Sequence, residues 1–195
     1  MAVIGYHGTS RAAAAAVLAT RVLNPSSGGG HWLGSGSYFF QDAPLHALTW
    51  ARMRLSLSAA DVVVIRCEID LSSCLDLLDR RNFNKMRRVY ARFVDEENRS
   101  RYAFTQQGLS VSRGIASVGA SISSSGLADN HRDHALLDWY IEFLKRYASQ
   151  DVTAVRGAFL WGQALFRESF LFDWSHCQIA VRDNTILSPL EEYQW

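Results

Sequence analysis

Cysteine is scarce in this chain: Cys67, Cys74 and Cys177 are odd in number and stand in neither a CxxC pair nor the Cys/His spacing of a finger. This argues against a disulfide framework or a structural zinc, and it favours a reducing cytoplasm. A surplus of one charge is also missing. Lys and Arg number 20 against 19 acidic residues, a net +1, so no global field draws in nucleic acid or an anionic membrane, and a polyanionic partner must be held locally. No run reaches the ~18 apolar residues of a membrane span. The opening MAVIGYHGTS lacks the basic stretch and long apolar run of a secretory leader, so secretion and membrane insertion are both disfavoured. There is no solenoid or propeller repeat. With 195 residues, 48% of them hydrophobic, the chain can bury one sizeable core, and a single domain over 1–195 is expected.

Several chemistries lack their residues as well. Gly28 to Gly30 has no following Lys-Ser/Thr, as a phosphate-binding P-loop requires. Ser10 and Ser37 lack a G-x-S-x-G context. His31, His46, His131, His134 and His176 have no Glu or Cys constellation around them, and the i, i+3 pair in HRDH reads as a solvated helix start, so no metal is expected.

What is present reads as alternating elements. AVIGYHG is a short strand running into Thr9 and Ser10, which cap an alanine-rich helix over 11–20. A loop over 24–30 leads through Gly34 and Gly36 into an aromatic strand, and a helix follows over 43–57. The β-branched DVVVIRCEI at 61–69 is the clearest strand. Residues 80–97 place Phe83, Met86, Val89, Tyr90 and Phe93 on one face of a surface helix whose alternating charges are solvated. A Ser/Gly-rich loop is expected over 108–126. A core helix over 131–147 turns Leu136, Trp139, Tyr140, Phe143 and Leu144 inward. VTAVRGAFL, SHCQIAV and TIL close the chain as short segments around a loop over 168–175. Strands early and late with helices between them predict an α+β fold whose first and last strands share a sheet.

Three islands put a polar side chain on or beside a strand: Tyr6-His7-Gly8-Thr9-Ser10, Gly34-Ser35-Gly36-Ser37-Tyr38-Phe39-Phe40 and His176-Cys177-Gln178-Ile179-Ala180-Val181. Glycine in the first two lets a ligand approach the backbone closely. Each island alone also fits a structural reading: a hydrogen-bonded strand-end histidine, an aromatic core segment, an ordinary buried strand.

Taken in order, the islands resemble the three motif strands of the ADP-ribosyltransferases, in the branch of diphtheria toxin and the poly(ADP-ribose) polymerases. That branch carries an HG dipeptide, a G-x-G-x-Y-F turn, and a glutamate or its substitute on a late strand; here these are His7-Gly8, Gly34 to Phe39, and Gln178. WLGSGSYFF with the following Ala-x-x-Trp-Ala, then IDLSSCLDL, VRGAF and HCQIAVRD, look like a group of small bacterial members. The likeness touches both ends of the chain, while 80–129 carries no motif.

The resemblance implies a split, mostly antiparallel sheet flanked by helices, with NAD⁺ as substrate and no metal. It implies that His7 holds an adenosine-ribose hydroxyl and that the Gly8 backbone receives the nicotinamide amide, with Thr9 and Gly36 beside them. Tyr38 would stack on the nicotinamide ring and Trp50 would form a second aromatic wall. Gln178 would bond the nicotinamide ribose, and Glu168 would orient or deprotonate the acceptor. A glutamine supplies the hydrogen bond but no negative charge, which argues against chain elongation and leaves mono-transfer, NAD⁺ hydrolysis or binding of NAD⁺ or ADP-ribose without turnover. A 2′-phosphotransferase of the same fold would need an arginine and histidine cluster that this sequence does not assemble. By analogy, the setting is a bacterial toxin or defence effector with a protein or nucleic-acid acceptor and an antitoxin or immunity partner.

Overall fold

A computed structural model describes residues 1–25, 31–106 and 131–195. The Ser/Gly-rich stretch 108–126 and the glycines at 28–30 lie outside the described residues. The β-branched run becomes β3 (Val62–Asp70), which pairs antiparallel with β1 (Ala2–Ser10) along its whole length, Ala2 opposite Asp70 through Ser10 opposite Val62. With β2 (Ser37–Gln41), β4 (Cys74–Asp76), β5 (Ala154–Phe159), β6 (His176–Val181) and β7 (Glu191–Glu192), they form one sheet in the order β4-β5-β6-β2-β1-β3-β7. Only β4 and β5 run parallel. The fold is α+β, a mostly antiparallel sheet flanked by helices. The first strand and the late strand β6 share that sheet with β2 between them.

Local chemistry accounts for the helices. α1 (Arg11–Thr20) starts where the Ser10 hydroxyl accepts the Ala13 N–H at 3.2 Å, runs on alanine, and stops at Arg21 in the left-handed region. α2 (Pro44–Leu55) begins on a proline, whose missing N–H costs nothing in a first turn. α3 (Arg80–Gln106) runs past the expected end near 97. On it Met86 and Phe93 are buried while Phe83 and Tyr90 are exposed, so its apolar face is narrower than its spacing indicated. α4 (His131–Ala148) turns Leu137, Tyr140, Ile141 and Leu144 fully inward. Leu136, Trp139 and Phe143 sit only at the edge of that cluster, a shift of one position around the helix. In the short segment TIL, Thr185 and Ile186 belong to a 3-10 turn (Asn184–Ile186), which the Asp183 carboxylate caps by accepting the Thr185 N–H.

Strand alternation sorts side chains onto two faces. Phe39, Val63, Ile65, Cys67, Ile69, Ile179 and Val181 point to one face, covered by α1 through Ala14. Each such aliphatic chain contributes about 1.5–3 kcal/mol by leaving water. The opposite face is covered in two places. α3 and α4 pack over β5 and β6 through Met86, Leu137 and Tyr140 against Val155 and Ala180. α2 packs over β1, β2 and β3 through Ala47 against Phe40 and Val64. Between these two covered regions the sheet stays open to a cleft. Among the described residues, no helix is long and apolar enough to cross a membrane.

Candidate functional site

The cleft begins where two strands part. β1 and β2 pair only at Gly5 with Gln41 and Tyr6 with Phe40. Beyond Tyr6 the chain of β1 continues with β3 alone, and the ring of His7 occupies the gap, its Nδ1–H donating to the Tyr38 carbonyl at 2.8 Å. Only the Nδ1–H tautomer makes that bond, so Nε2 carries a lone pair. Burial lowers the His7 pKa, against the opposing pull of the Tyr38 carbonyl, and keeps the ring neutral near pH 7.

The resulting cavity has a volume of about 320 Å³. His7, Gly8 and Thr9 of β1, Tyr38 of β2, Trp50 of α2 and Gln178 of β6 all line it, brought together from four elements spread across the chain. Two other expected residues do not. Gly36 abuts the backbone of β6, where a Cβ would fall 2.8 Å from the Val181 carbonyl oxygen; it serves strand packing. Glu168 is exposed in the loop between β5 and β6, at φ 71°, and is not part of the cavity wall. Gly8 has a second reason to be glycine besides ligand approach: a Cβ there would run into the backbone carbonyl of Ala47 on α2.

Tyr38 offers its ring rather than its hydroxyl. The hydroxyl accepts the Leu33 N–H at 2.8 Å and donates to the Gly34 carbonyl at 2.9 Å, tying the strand to the turn before it. Burial holds this phenol well above its ordinary pKa. His31 packs on the ring with centroids 4.8 Å apart. The turn is anchored from outside: Asp138 of α4 accepts the Ser35 N–H at 3.0 Å and the Ser35 hydroxyl at 2.6 Å, and Arg182 donates to Asp138 at 2.7 Å and to the Ser35 carbonyl at 2.9 Å. Gly34, at φ +80°, takes the left-handed conformation that this turn needs.

Gln178, 8% exposed, is held at both ends of its amide. The indole N–H of Trp32 donates to Oε1 at 2.8 Å, and Nε2 meets Nε2 of His176 at 2.9 Å. Behind His176 stands His46, its ring centroid 5.1 Å away and its Nε2 buried without a partner. Phe159, Trp161 and Trp174 complete an aromatic wall, and Arg54 stands exposed at the α2 side.

The electrostatics are simple. Burial lowers the pKa values of His31, His46 and His176 as well as His7, so these imidazoles are uncharged near neutrality. Among the described lining residues Arg54 is then the fixed charge, and none of them is an Asp or Glu. Such a site can take an anion at its Arg54 side and a flat or cationic ring among its aromatics. The thiols of Cys67 and Cys74 are pushed up to about 12 by burial, and all three cysteines are free. Among the described residues no three His, Cys, Asp or Glu side chains come together as a metal-binding group.

Sequence reading missed Trp32, Arg54, Phe159, Trp161 and Trp174; it named Phe40 and His176 within the motif islands without giving them a role, and weighed His31 only as a metal ligand. One signal was available: His176 and Gln178 are two apart on a strand, hence on one face. The tryptophans of the β5–β6 loop carried none, because only the folded loop returns them to the cleft.

No family model matches the chain, and no solved structure matches it. An uncharacterized protein of Methanocaldococcus jannaschii is 42% identical over 45 residues, which are 23% of this chain. The chain spans about a fifth of that relative's length, 21%.

Proposed function

We propose that the cleft binds NAD⁺ and that the protein is a mono-ADP-ribosyltransferase. The observation that carries this reading is the convergence of His7, Gly8, Thr9, Tyr38, Trp50 and Gln178 on one cavity, with the sheet parted beside His7. The lone pair on Nε2 of His7 accepts from a ribose hydroxyl. The Tyr38 ring and the aromatic wall favour the nicotinamide while it is positively charged. Arg54 suits the pyrophosphate. A cavity of about 320 Å³ is at the lower end for a ligand site, room for a ring and its ribose more than for a whole dinucleotide.

In the reaction, the bond between nicotinamide and the ribosyl carbon breaks, its electron pair leaves with neutral nicotinamide, and an oxocarbenium-like sugar forms. A nucleophile of a protein or nucleic acid then bonds to that carbon and gives up its proton. The cleft contributes orientation and hydrogen bonds, with Gln178 bonding the nicotinamide ribose. Toxin or defence activity, with an antitoxin or immunity partner, is the biological setting this chemistry suggests. Its acceptor is a macromolecule.

A second reading, binding of NAD⁺ or ADP-ribose without turnover, is favoured by one feature: among the described residues no carboxylate lines the cavity to stabilise the developing positive charge. Nicotinamide release separates the two. Purified protein and its Tyr38→Ala variant are compared with and without cell lysate as a source of acceptor. Release that requires the wild type and rises with lysate supports transfer, and release unchanged by lysate indicates hydrolysis. Binding without release supports the second reading, and absence of binding refutes both.

A further inference from the structure

Gln178 could in principle present either end of its amide to the cleft, and the surrounding bonds choose one. The Trp32 indole nitrogen has a hydrogen and no lone pair to offer, so the Gln178 atom 2.8 Å from it must be the carbonyl oxygen. Nε2 of Gln178 then points at His176 as a donor, and Nε2 of His176, 2.9 Å away, must accept. The His176 hydrogen is left on Nδ1, which lies 2.5 Å from the Trp174 carbonyl, an acceptor only. Three one-way bonds therefore agree on a single tautomer and a single amide orientation.

We propose that His176 is a positioning residue, a latch that holds the Gln178 amide while its ring is neutral and releases it when Nε2 takes a proton. A protonated Nε2 would face the Gln178 NH₂ donor to donor. Turning the amide over gives no relief, because its NH₂ would then face the Trp32 N–H. Gln178 must swing off one partner, and the edge of the cleft it forms is disorganised.

The groups facing His176 set where this happens. His46 of α2 stands 5.1 Å away, Phe40 of β2 4.8 Å and Phe159 of β5 5.4 Å, with the Trp174 carbonyl behind Nδ1. Asp173 acts on His46, while His7, His31 and Arg54 lie around the same cavity. Among the described residues no carboxylate lines that cavity, burial disfavours the charged ring, and a charged His46 would disfavour it further. The latch is closed at neutral pH and opens below the ordinary imidazole range. The consequence for nucleotide binding rests on the reading that the cleft takes NAD⁺; the latch itself does not.

The experiment is a pH titration of the full chain followed by nitrogen NMR of the histidine rings and the Gln178 side-chain amide, paired with NAD⁺ titrations at each pH. At neutral pH His176 should show a protonated Nδ1 and a bare Nε2, and its titration in acid should coincide with displacement or broadening of the Gln178 amide signals. NAD⁺ affinity should fall by up to about tenfold per pH unit below that point. His176→Gln keeps an acceptor near the position of Nε2 but cannot titrate, so at neutral pH it should retain affinity within about threefold and lose the acid-driven movement of the Gln178 amide; His176→Phe should be weak at every pH. Trp32→Phe, which frees the other end of the amide, should let Gln178 turn its carbonyl oxygen toward a protonated Nε2, so the amide stays beside His176 in acid while Nδ1–H remains on the Trp174 carbonyl. An Nε2–H tautomer at neutral pH, or Gln178 signals unchanged through the His176 titration, or Gln178 signals that move in acid in His176→Gln as they do in the wild type, would overturn the proposal. If the latch titrates as described and NAD⁺ binds at no pH, the latch stands and the NAD⁺ reading falls.

Discussion

Asp138→Asn tests how the cleft is held from behind. The Asp138 carboxylate accepts two hydrogen bonds from Ser35 and one from Arg182, and Arg182 in turn donates to the Ser35 carbonyl. Asparagine keeps one acceptor, loses the second and removes the charge opposite Arg182. A hydrogen bond to a charged group contributes about 1.5–3 kcal/mol, and such terms do not add within one network. Asp138 is 29% exposed and Arg182 20%, so the loss should be smaller than for a fully buried pair, roughly 2–4 kcal/mol. At about 2–4 °C per kcal/mol for a chain of this size, Tm should drop by roughly 5–15 °C in a calorimetric scan at pH 7. Burial raises the Asp138 pKa, but the bonds from Ser35 and Arg182 outweigh it and hold it below the ordinary value. A depressed carboxylate stabilises the fold above its unfolded pKa, about 3.9 for aspartate, and loses that contribution as pH falls through the lower folded value. The gap between wild type and variant should therefore close in acid. A Tm change under about 2 °C, typical of an unconnected surface site, or a gap that widens in acid, would refute this account of the turn.

Three further substitutions follow. Tyr38→Phe leaves the Leu33 N–H without its partner, and urea unfolding should register a loss of about 1–3 kcal/mol while the retained ring keeps NAD⁺ affinity within about threefold. Gly8→Ala drives a methyl into the Ala47 carbonyl and should destabilise by roughly 3 kcal/mol, measured the same way, whether or not NAD⁺ is present. Gln178→Glu brings a carboxylate to the cavity and should raise single-turnover nicotinamide release by about tenfold or more; an unchanged rate would take residue 178 out of the charge-stabilising role.

Much of the fold was legible because local and global signals agreed. Ser10 before an alanine run gave α1 to the residue, and the β-branched run at 61–69 gave β3 within one position. The readings that moved depended on tertiary context. Tyr140 and Leu144 were rightly turned inward, yet Leu137 and Ile141 took the central positions from Leu136 and Phe143, because packing against Val155 and Ala180 of the sheet selects among equally periodic faces. At the site, the legible residues were those whose polarity is unusual on a strand: His7, Tyr38 beside its glycines, and Gln178. Trp32 escaped because its hydrogen bond to Gln178 spans 146 residues, which no linear pattern expresses; for His176 the two-residue strand spacing placed it on the face of Gln178 but not the direction of their bond. Glu168 was an expectation of chemistry, a carboxylate in the right loop, and the loop turns it outward.

The most direct test of the central claim is a calorimetric titration of NAD⁺ into wild type and His7→Ala at neutral pH. The wild type should show one saturable site, and a folded His7→Ala should bind about five- to tenfold more weakly, the loss of one ligand hydrogen bond. No saturable binding, or equal affinity in the two proteins, would contradict that claim.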